Sequence, residues 1–261
     1  MSSSFSISFI GAGNLAWNLA PAFENAGHNI VEISSLHSES AQSLANSLYS
    51  TKAKTDSDFS SSEIDFLFLA VKDDVIGDLT EEIISDNNTI LLHCSGNTMM
   101  DVLSKFKGPY GVFYPLQTFS KAYRVNFSDI PICIESYDPD VEKKIGMLAK
   151  SISKNVSFIS SGKRKAIHMA AVFANNFTNH MLAQSSEILN EMKIDPRILR
   201  PLCEETIRKA FELDPDSSQT GPARRGDLKT IREHLEKLDD WEDSKGIYEL
   251  LSNQILRKYN S

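Results

Sequence analysis

An α/β domain with a mostly parallel sheet, followed by an all-α C-terminal domain, is the fold class that three observations predict. First, an apolar strand at residues 5–10 runs directly into Gly11-Ala12-Gly13-Asn14-Leu15-Ala16, a Gly-x-Gly-x-x-Ala turn that opens a helix. Second, short apolar runs alternate with helical patterns as far as Ile159. Third, from Lys163 onward the strand pattern stops and every apolar period is helical. The expected division is a Rossmann-type nucleotide-binding domain at 1–160 and a helical domain at 161–261.

In the opening turn each small residue has a physical reason. Gly11 permits the sharp exit from the strand, and Gly13 lets the backbone approach a pyrophosphate that a side chain would keep away. Ala16 allows close packing of helix on sheet. The first helical turn, beginning at Asn14 and Leu15, presents free N–H groups and the positive end of the helix dipole, an environment that prefers an anion. Leu15, Leu19, Ala22, Phe23 and Ala26 continue at helical spacing until Gly27. Pro21 falls inside this helix and is expected to kink it near Trp17.

A second strand, 30–34, completes the βαβ unit. Where NAD-binding units end this strand in a carboxylate that accepts from the adenine ribose, this chain has Ser34, and Glu32 comes two residues too early. Ser35, Leu36, His37 and Ser38 follow, so hydroxyls and an imidazole stand where a carboxylate would repel a 2′-phosphate. The reading favours NADP over NAD. The same serines are also candidates for capping the helix near Glu39, a role compatible with phosphate binding.

Further along, 39–48 reads as a helix on Ala41, Leu44, Ala45 and Leu48, and 51–55 as a short strand. Residues 64–71 are almost continuously apolar, as in a parallel strand covered on both faces. They end at Ala70, Val71 and Lys72. Loops after the carboxyl ends of parallel strands line the ligand crevice, so these three are cofactor candidates, Lys72 alternatively being a solvated charge. A strand at 89–94 leads into Cys94, Ser95 and Gly96, candidates for the nicotinamide end. His93 is either a proton donor there or a satisfied core residue. Thr98 with Asp101 reads as a cap and its acidic partner. Strands are expected at 110–115 and 130–135. Asp138-Pro139 then opens a helix with Val141, Ile145, Leu148 and Ile152 inward, and 156–159 closes the α/β half.

Residues 165–193 read as one helix of roughly 40 Å, apolar around most of its circumference and so buried on more than one side. His168, Asn175 and Asn179 fall on one line at 100° per residue. They form either a solvent edge or a polar stripe on which His168 donates a proton and an asparagine fixes the substrate. Asp195-Pro196 and Asp214-Pro215 punctuate the next helices, and Leu228, Ile231, Leu235 and Leu238, then Ile247, Leu251 and Ile255, mark two more. Between them lies Thr220-Gly221-Pro222-Ala223-Arg224-Arg225-Gly226-Asp227. Its arginines either reach an anionic substrate or cofactor group, Arg225 being the catalytic-site candidate, or pair with Glu204 or Glu205, while Asp227 is a helix cap.

Composition narrows the function class. A formal charge of -8 over 261 residues argues against nucleic acid or an anionic membrane as partner. No apolar run has the length of a membrane span, and residues 1–4 lack the features of a secretion signal. Cys94, Cys133 and Cys203 lack metal-ligand spacing and suit a reducing compartment, so a cytoplasmic protein without a metal site is expected.

On Gly11 to Asn14, Leu69 to Asp73, His93 to Gly96, His168 to Asn176, and Thr220-Gly221-Pro222 through Asp227, the chain resembles an uncharacterised family of two-domain Rossmann proteins. Members carry a helical second domain like that of 6-phosphogluconate dehydrogenase, and pyrroline-5-carboxylate reductase and the deazaflavin-dependent NADP oxidoreductases are similar to them. The resemblance implies a homodimer built through the helical domain and a site at the interdomain cleft. It favours Asn176 where periodicity favours Asn175. Dehydrogenases of the 6-phosphogluconate type place a lysine four residues before that asparagine; here the position is Val172, so their acid/base chemistry does not transfer. The expected function is an NADP-dependent oxidoreductase acting on a small, anionic carbonyl or imine compound. A non-catalytic NADP-binding regulator is the alternative, and a helical interaction module with an empty Rossmann domain a third reading.

Overall fold

A computed structural model describes residues 4–260. The N-terminal residues on which the absence of a secretion signal was partly read, Met1 to Ser3, lie outside them. The chain forms two compact units, Met1–Phe173 and Ala174–Ser261.

The first unit follows β1 (Ser6–Ile10), α1 (Asn14–Asn25), β2 (Asn29–Ser34), α2 (Ser38–Ala45), β3 (Lys52–Lys54), β4 (Phe66–Leu69), α3 (Ile76–Glu82), β5 (Ile90–His93), β6 (Tyr110–Pro115), β7 (Ile132–Glu135), α4 (Pro139–Ile152), β8 (Val156–Phe158) and α5 (Ser161–Ala171). Its sheet has the order β3-β2-β1-β4-β5-β6-β7-β8, parallel except where β7 pairs antiparallel with β6. The first six strands have the doubly wound order, whose direction of winding reverses between β1 and β4. The Gly11 turn therefore leaves the sheet at the point where a crevice opens.

Alternation along β4 covers both faces, as its continuous apolar run predicts. Phe66 and Phe68 join a core with Phe9, Phe23 and Phe113, whereas Leu67 and Leu69 pack with Ile10, Ile76 and Leu91 on the other side. Phe68 stacks on Phe9 at 5.0 Å between centroids and meets Phe113 edge-on at 5.3 Å. Burying each such ring stabilises the fold by about 1.5–3 kcal/mol. Helix α1 buries Ala16, Leu19, Ala20 and Phe23, and ends where Gly27 takes φ +92°. It runs as one element through Pro21. Asp138 caps α4 by accepting from the backbone N–H groups of Asp140 and Val141, with Pro139 in the first turn. Thr98 does not play the capping role expected of it: the short 3-10 turn Met100–Leu103 starts after Met99 without a side-chain cap. The Ser95 hydroxyl accepts from the N–H groups of Asn97 and Thr98 instead.

The second unit contains α6 (Thr178–Glu191), α7 (Arg200–Leu213), α8 (Pro215–Ser218), α9 (Leu228–Lys237) and α10 (Glu242–Tyr259). Aspartates start several segments: Asp195 before a 3-10 turn, Asp214 before α8 at φ +82°, and Asp227 before α9, where it accepts from Thr230. Met181, Ile188, Leu238, Ile247, Leu251 and Ile255 line a groove of about 340 Å³. The single long helix expected at 165–193 is interrupted by a π-helical segment, Val172–Phe177, and α6 has no buried residue. Continuity is thereby corrected; within the single chain Met181, Ile188 and Leu189 are half-buried and Leu182 is exposed. Among the described residues no helix is long and apolar enough to cross a membrane, and no cluster of side chains could hold a metal.

Candidate functional site

The site is built from three loops at the carboxyl edge of the parallel strands and one helix that follows β8. In the first loop Gly11 takes φ +106°, and a Cβ there would lie 2.2 Å from the carbonyl oxygen of Ala70. Glycine is thus required twice, by backbone conformation and by contact with the end of β4. Gly13 is different. It is exposed, its nearest neighbour to an added Cβ is the Ala70 oxygen at 3.9 Å, and no side chain caps the helix it opens. Asn14 is exposed beside it, Leu15 half-buried and Ala12 buried. An uncapped, solvent-facing helix start with open space over a glycine fits a pyrophosphate.

At the end of β2 the candidates separate. Ser34 is buried and its hydroxyl donates to the Asp56 carbonyl at 2.6 Å, so it is occupied within the protein. Glu32 is buried too, accepting from Ser62 at 2.8 Å with Lys54 at 3.9 Å. Ser35 is half-buried, His37 and Ser38 are exposed, and none of their side chains caps α2. This edge therefore presents hydroxyls and an imidazole without the carboxylate of an NAD-type unit.

Ala70, Val71 and Lys72 follow β4, Lys72 exposed and next to Asp73. The Ser95 hydroxyl donates to the Asp73 carboxylate at 2.6 Å, tying this loop to the one after β5. Burial pushes the Cys94 thiol up, so it stays protonated near neutral pH. His93 resolves as a core residue. It is fully buried, its Nδ1 accepts from the Ser95 N–H at 3.2 Å, and Nε2 faces the Met99 backbone without a well-formed hydrogen bond. Burial, with Arg164 close by, lowers its pKa to about 3 and keeps it neutral.

The residue that meets His168 went unnoticed in the sequence. Tyr114, near the end of β6, is 9% exposed, and its hydroxyl lies 3.0 Å from His168 Nδ1, the rings edge to face at 6.0 Å. Burial raises the Tyr114 phenol, with Asp73 and Cys133 adding to the effect and Arg164 opposing it. Where the phenol donates to Nδ1 the ring carries its proton on Nε2; where Nδ1–H donates, the phenol oxygen accepts. Gly96 makes room for the pair: a Cβ there would come within 2.6 Å of His168 Nδ1 and 2.7 Å of Tyr114 Cζ. Tyr114 carried one usable signal, its place at the carboxyl end of a parallel strand.

Arg164, one turn before His168, also went unnoticed. It is fully buried, ion-paired with Glu135, and donates to Ser95 O at 3.2 Å, Thr98 O at 2.6 Å and Ser161 Oγ at 3.1 Å.

Asn175 and Asn176 lie exposed in the π-helical segment. The seven-residue count that aligned Asn175 with His168 assumes an unbroken α-helix, and the wider π turn invalidates it. In the second unit the arginine loop has Gly221 and Gly226 at positive φ, and Arg224 lies 4.4 Å over the Tyr259 ring. Arg225 is exposed. The alternative pairing is corrected: Glu204 binds Arg200, and Glu205 binds Arg208 and Lys209.

Two family descriptions match the chain: "NADP oxidoreductase coenzyme F420-dependent" over residues 6–95 and "Domain of unknown function (DUF2520)" over residues 130–255. No curated protein matches its sequence. Among solved structures, Bacteroides fragilis BF3122, which carries a provisional NADP oxidoreductase name, is 37% identical over 97% of this chain and 98% of its own, with a TM-score of 0.89. Thermotoga maritima TM1727 shares the fold at 24% identity and TM-score 0.68, covering 97% of each chain. A pyrroline-5-carboxylate reductase from Streptococcus pyogenes does so at 13% and 0.64, over 97% of this chain and 99% of its own. The chain belongs to the two-domain family of the Bacteroides fragilis protein, in which an NADP oxidoreductase-type domain is joined to the DUF2520 domain.

Proposed function

We propose that this protein is an NADP-dependent oxidoreductase that reduces a small carbonyl or imine compound, with His168 as proton donor and Tyr114 as its partner. One observation carries the reading: the Tyr114–His168 hydrogen bond stands at the same sheet edge as the uncapped start of α1. Bound NADPH supplies a hydride, so the protein's own task is to hold the cofactor and substrate and to deliver a proton. The N–H groups opening α1 hold the pyrophosphate over Gly13, and Ser35, His37 and Ser38 receive the ribose phosphate. With Nδ1 engaged by Tyr114, Nε2–H passes its proton to the substrate oxygen or nitrogen as Nδ1 takes the phenol proton, so that the ring stays neutral and the phenolate is reprotonated from solvent. Val172 stands where the 6-phosphogluconate dehydrogenases have lysine, and the histidine takes over the proton in this scheme. An anionic substrate accords with exposed Lys72 in the loop after β4, a cation in a chain of net charge -8. The exposed apolar side chains of the helical unit support a homodimer formed through it, and three free cysteines accord with a cytoplasmic home.

Calorimetric titration tests the cofactor: NADPH is expected to bind about threefold or more tightly than NADH, and binding of neither refutes the proposal. A screen of carbonyls and imines for NADPH oxidation tests the chemistry. His168→Ala is expected to lower kcat about 100-fold and Tyr114→Phe about tenfold or more. Tight NADPH binding without any turnover would leave the regulatory reading in its place.

A further inference from the structure

Resting on the proton-donor reading of His168, we infer that Arg164, with Glu135 and Ser161, is the positioning device that sets the Tyr114–His168 pair. A buried arginine beside a candidate site invites the reading of an anion receptor. Its donors exclude that here: Arg164 is fully buried, and its guanidinium is committed to the Glu135 carboxylate, the carbonyls of Ser95 and Thr98, and the Ser161 hydroxyl. These partners come from three separate places, the loop after β5, the end of β7 and the first turn of α5. Ser161 tightens the same knot. Its N–H and hydroxyl donate to Glu135 at 2.8 and 2.7 Å, and the hydroxyl accepts from the Met100 N–H at 3.0 Å.

The geometry explains why such a brace is placed here. Arg164 and His168 are four residues apart and share one face of α5. Arg164 grips the Ser95 carbonyl, the atom immediately before Gly96, and Gly96 is the residue against which His168 and Tyr114 close. One guanidinium thus fixes both the helix that carries the histidine and the loop that bounds the pair. Arginine suits this task because its planar fork reaches a carboxylate and two carbonyls at once, which a lysine ammonium does not. The ion pair with Glu135 compensates the buried charge of the guanidinium.

The test reads the tautomer of His168 by long-range ¹⁵N–¹H correlation in the full-length protein. In wild type the Nε2–H form is expected to dominate, and Tyr114→Phe is expected to shift the ratio about fivefold toward Nδ1–H, the factor that one net hydrogen bond supplies. Arg164→Met combined with Glu135→Gln leaves no unpaired charge and keeps the acceptor for Ser161. It is expected to produce a similar shift while NADPH affinity stays at the wild-type value. Arg164→Lys should fall between the two. A folded double variant with the wild-type tautomer ratio would overturn the brace while leaving the proton-donor reading intact. If the double variant does not fold, Ser161→Ala and Arg164→Lys decide: a shift of the same sense in either supports the brace, and wild-type ratios in both overturn it. A wild-type ratio that ignores Tyr114→Phe sinks the brace and the pair together, whereas turnover that survives His168→Ala sinks the proton-donor reading alone.

Discussion

Tyr114 and His168 lie 54 residues apart in sequence and 3.0 Å apart in space, phenol against Nδ1, with Gly96 filling the room where a side chain would hold them apart. The contact joins the histidine picked out in the sequence to an unremarked tyrosine at a strand end, a unit able to hold a proton in a defined place. A buried phenol is a poor acid and therefore a steady donor, and a histidine with one nitrogen engaged offers the other to a substrate.

Gly96→Ala tests how closely that unit is fitted. The added methyl would meet both rings at under 3 Å, so one of them must move. Overpacking of this kind costs about 1–3 kcal/mol. Urea unfolding should show that loss, while calorimetry finds NADPH affinity lowered far less than by a change in the Gly11 turn, because the pyrophosphate contacts belong to another loop. Wild-type stability with full turnover would mean that Tyr114 and His168 do not close on Gly96 in solution.

Gly11→Ala makes the opposite demand. Here the methyl collides with backbone, the Ala70 carbonyl at 2.2 Å, and the residue would also sit at φ +106°. Neither strain relaxes by a side-chain rotation, and together they should cost more than about 3 kcal/mol. Thermal unfolding is expected to show a much lowered midpoint and titration an NADPH affinity reduced at least tenfold, since the loop that bears Gly13 must shift.

Much of the first unit was legible in the residues because local rules and tertiary packing agree there. The Gly11–Ala16 turn, the doubly covered β4 and the Asp138-Pro139 start of α4 all follow from backbone chemistry acting over a few residues. The partners of the histidine were not legible. Tyr114 and Arg164 meet it or brace it through contacts 54 residues away in one case, and through the loop after β5 in the other, and no periodicity encodes such pairings. The π-helical segment Val172–Phe177 was hidden for a different reason: nothing in Val-Phe-Ala-Asn-Asn-Phe departs from α-helical composition, and the count that chose Asn175 fails within it. Ser34 shows a third kind of limit, for its place at the strand end was read well, yet its hydroxyl turns inward to Asp56.

The helical unit carries a prediction about assembly. In α7 Leu202 is 64% exposed, Ile207 53% and Phe211 89%, and Ile198 and Met192 before it are exposed as well, large apolar side chains that suit an interface between copies. Light scattering after size exclusion is expected to give the mass of a dimer for the wild type. Phe211→Glu combined with Leu202→Glu should yield a folded monomer by the same measurement and by circular dichroism. Dimers that survive both substitutions would place the interface elsewhere.

His93 predicts how stability depends on pH. Its ordinary pKa is 6.5, and burial first, then Arg164, lowers it to about 3 in the folded protein. Between those values the unfolded chain binds a proton that the folded chain refuses, so ν_U exceeds ν_N and stability must rise with pH across this window. The contribution is complete above 6.5 and is lost as the pH falls from 6.5 toward 3. At about 1.4 kcal/mol per pH unit for a single fully shifted group, going from about pH 7 to about pH 4.5 should remove roughly 2 kcal/mol through this residue alone. His93→Asn isolates the effect, because its carbonyl oxygen can still accept from the Ser95 N–H while nothing titrates. Urea unfolding at the two pH values is expected to show a smaller acid loss in the variant than in wild type by about that amount. His28, also lowered by burial, is present in both proteins and cancels in the difference. Equal acid losses would mean that the histidine at the end of β5 can take up a proton without unfolding the chain around it, and that the loop from Ser95 to Thr98 yields more readily than the Arg164 contacts require.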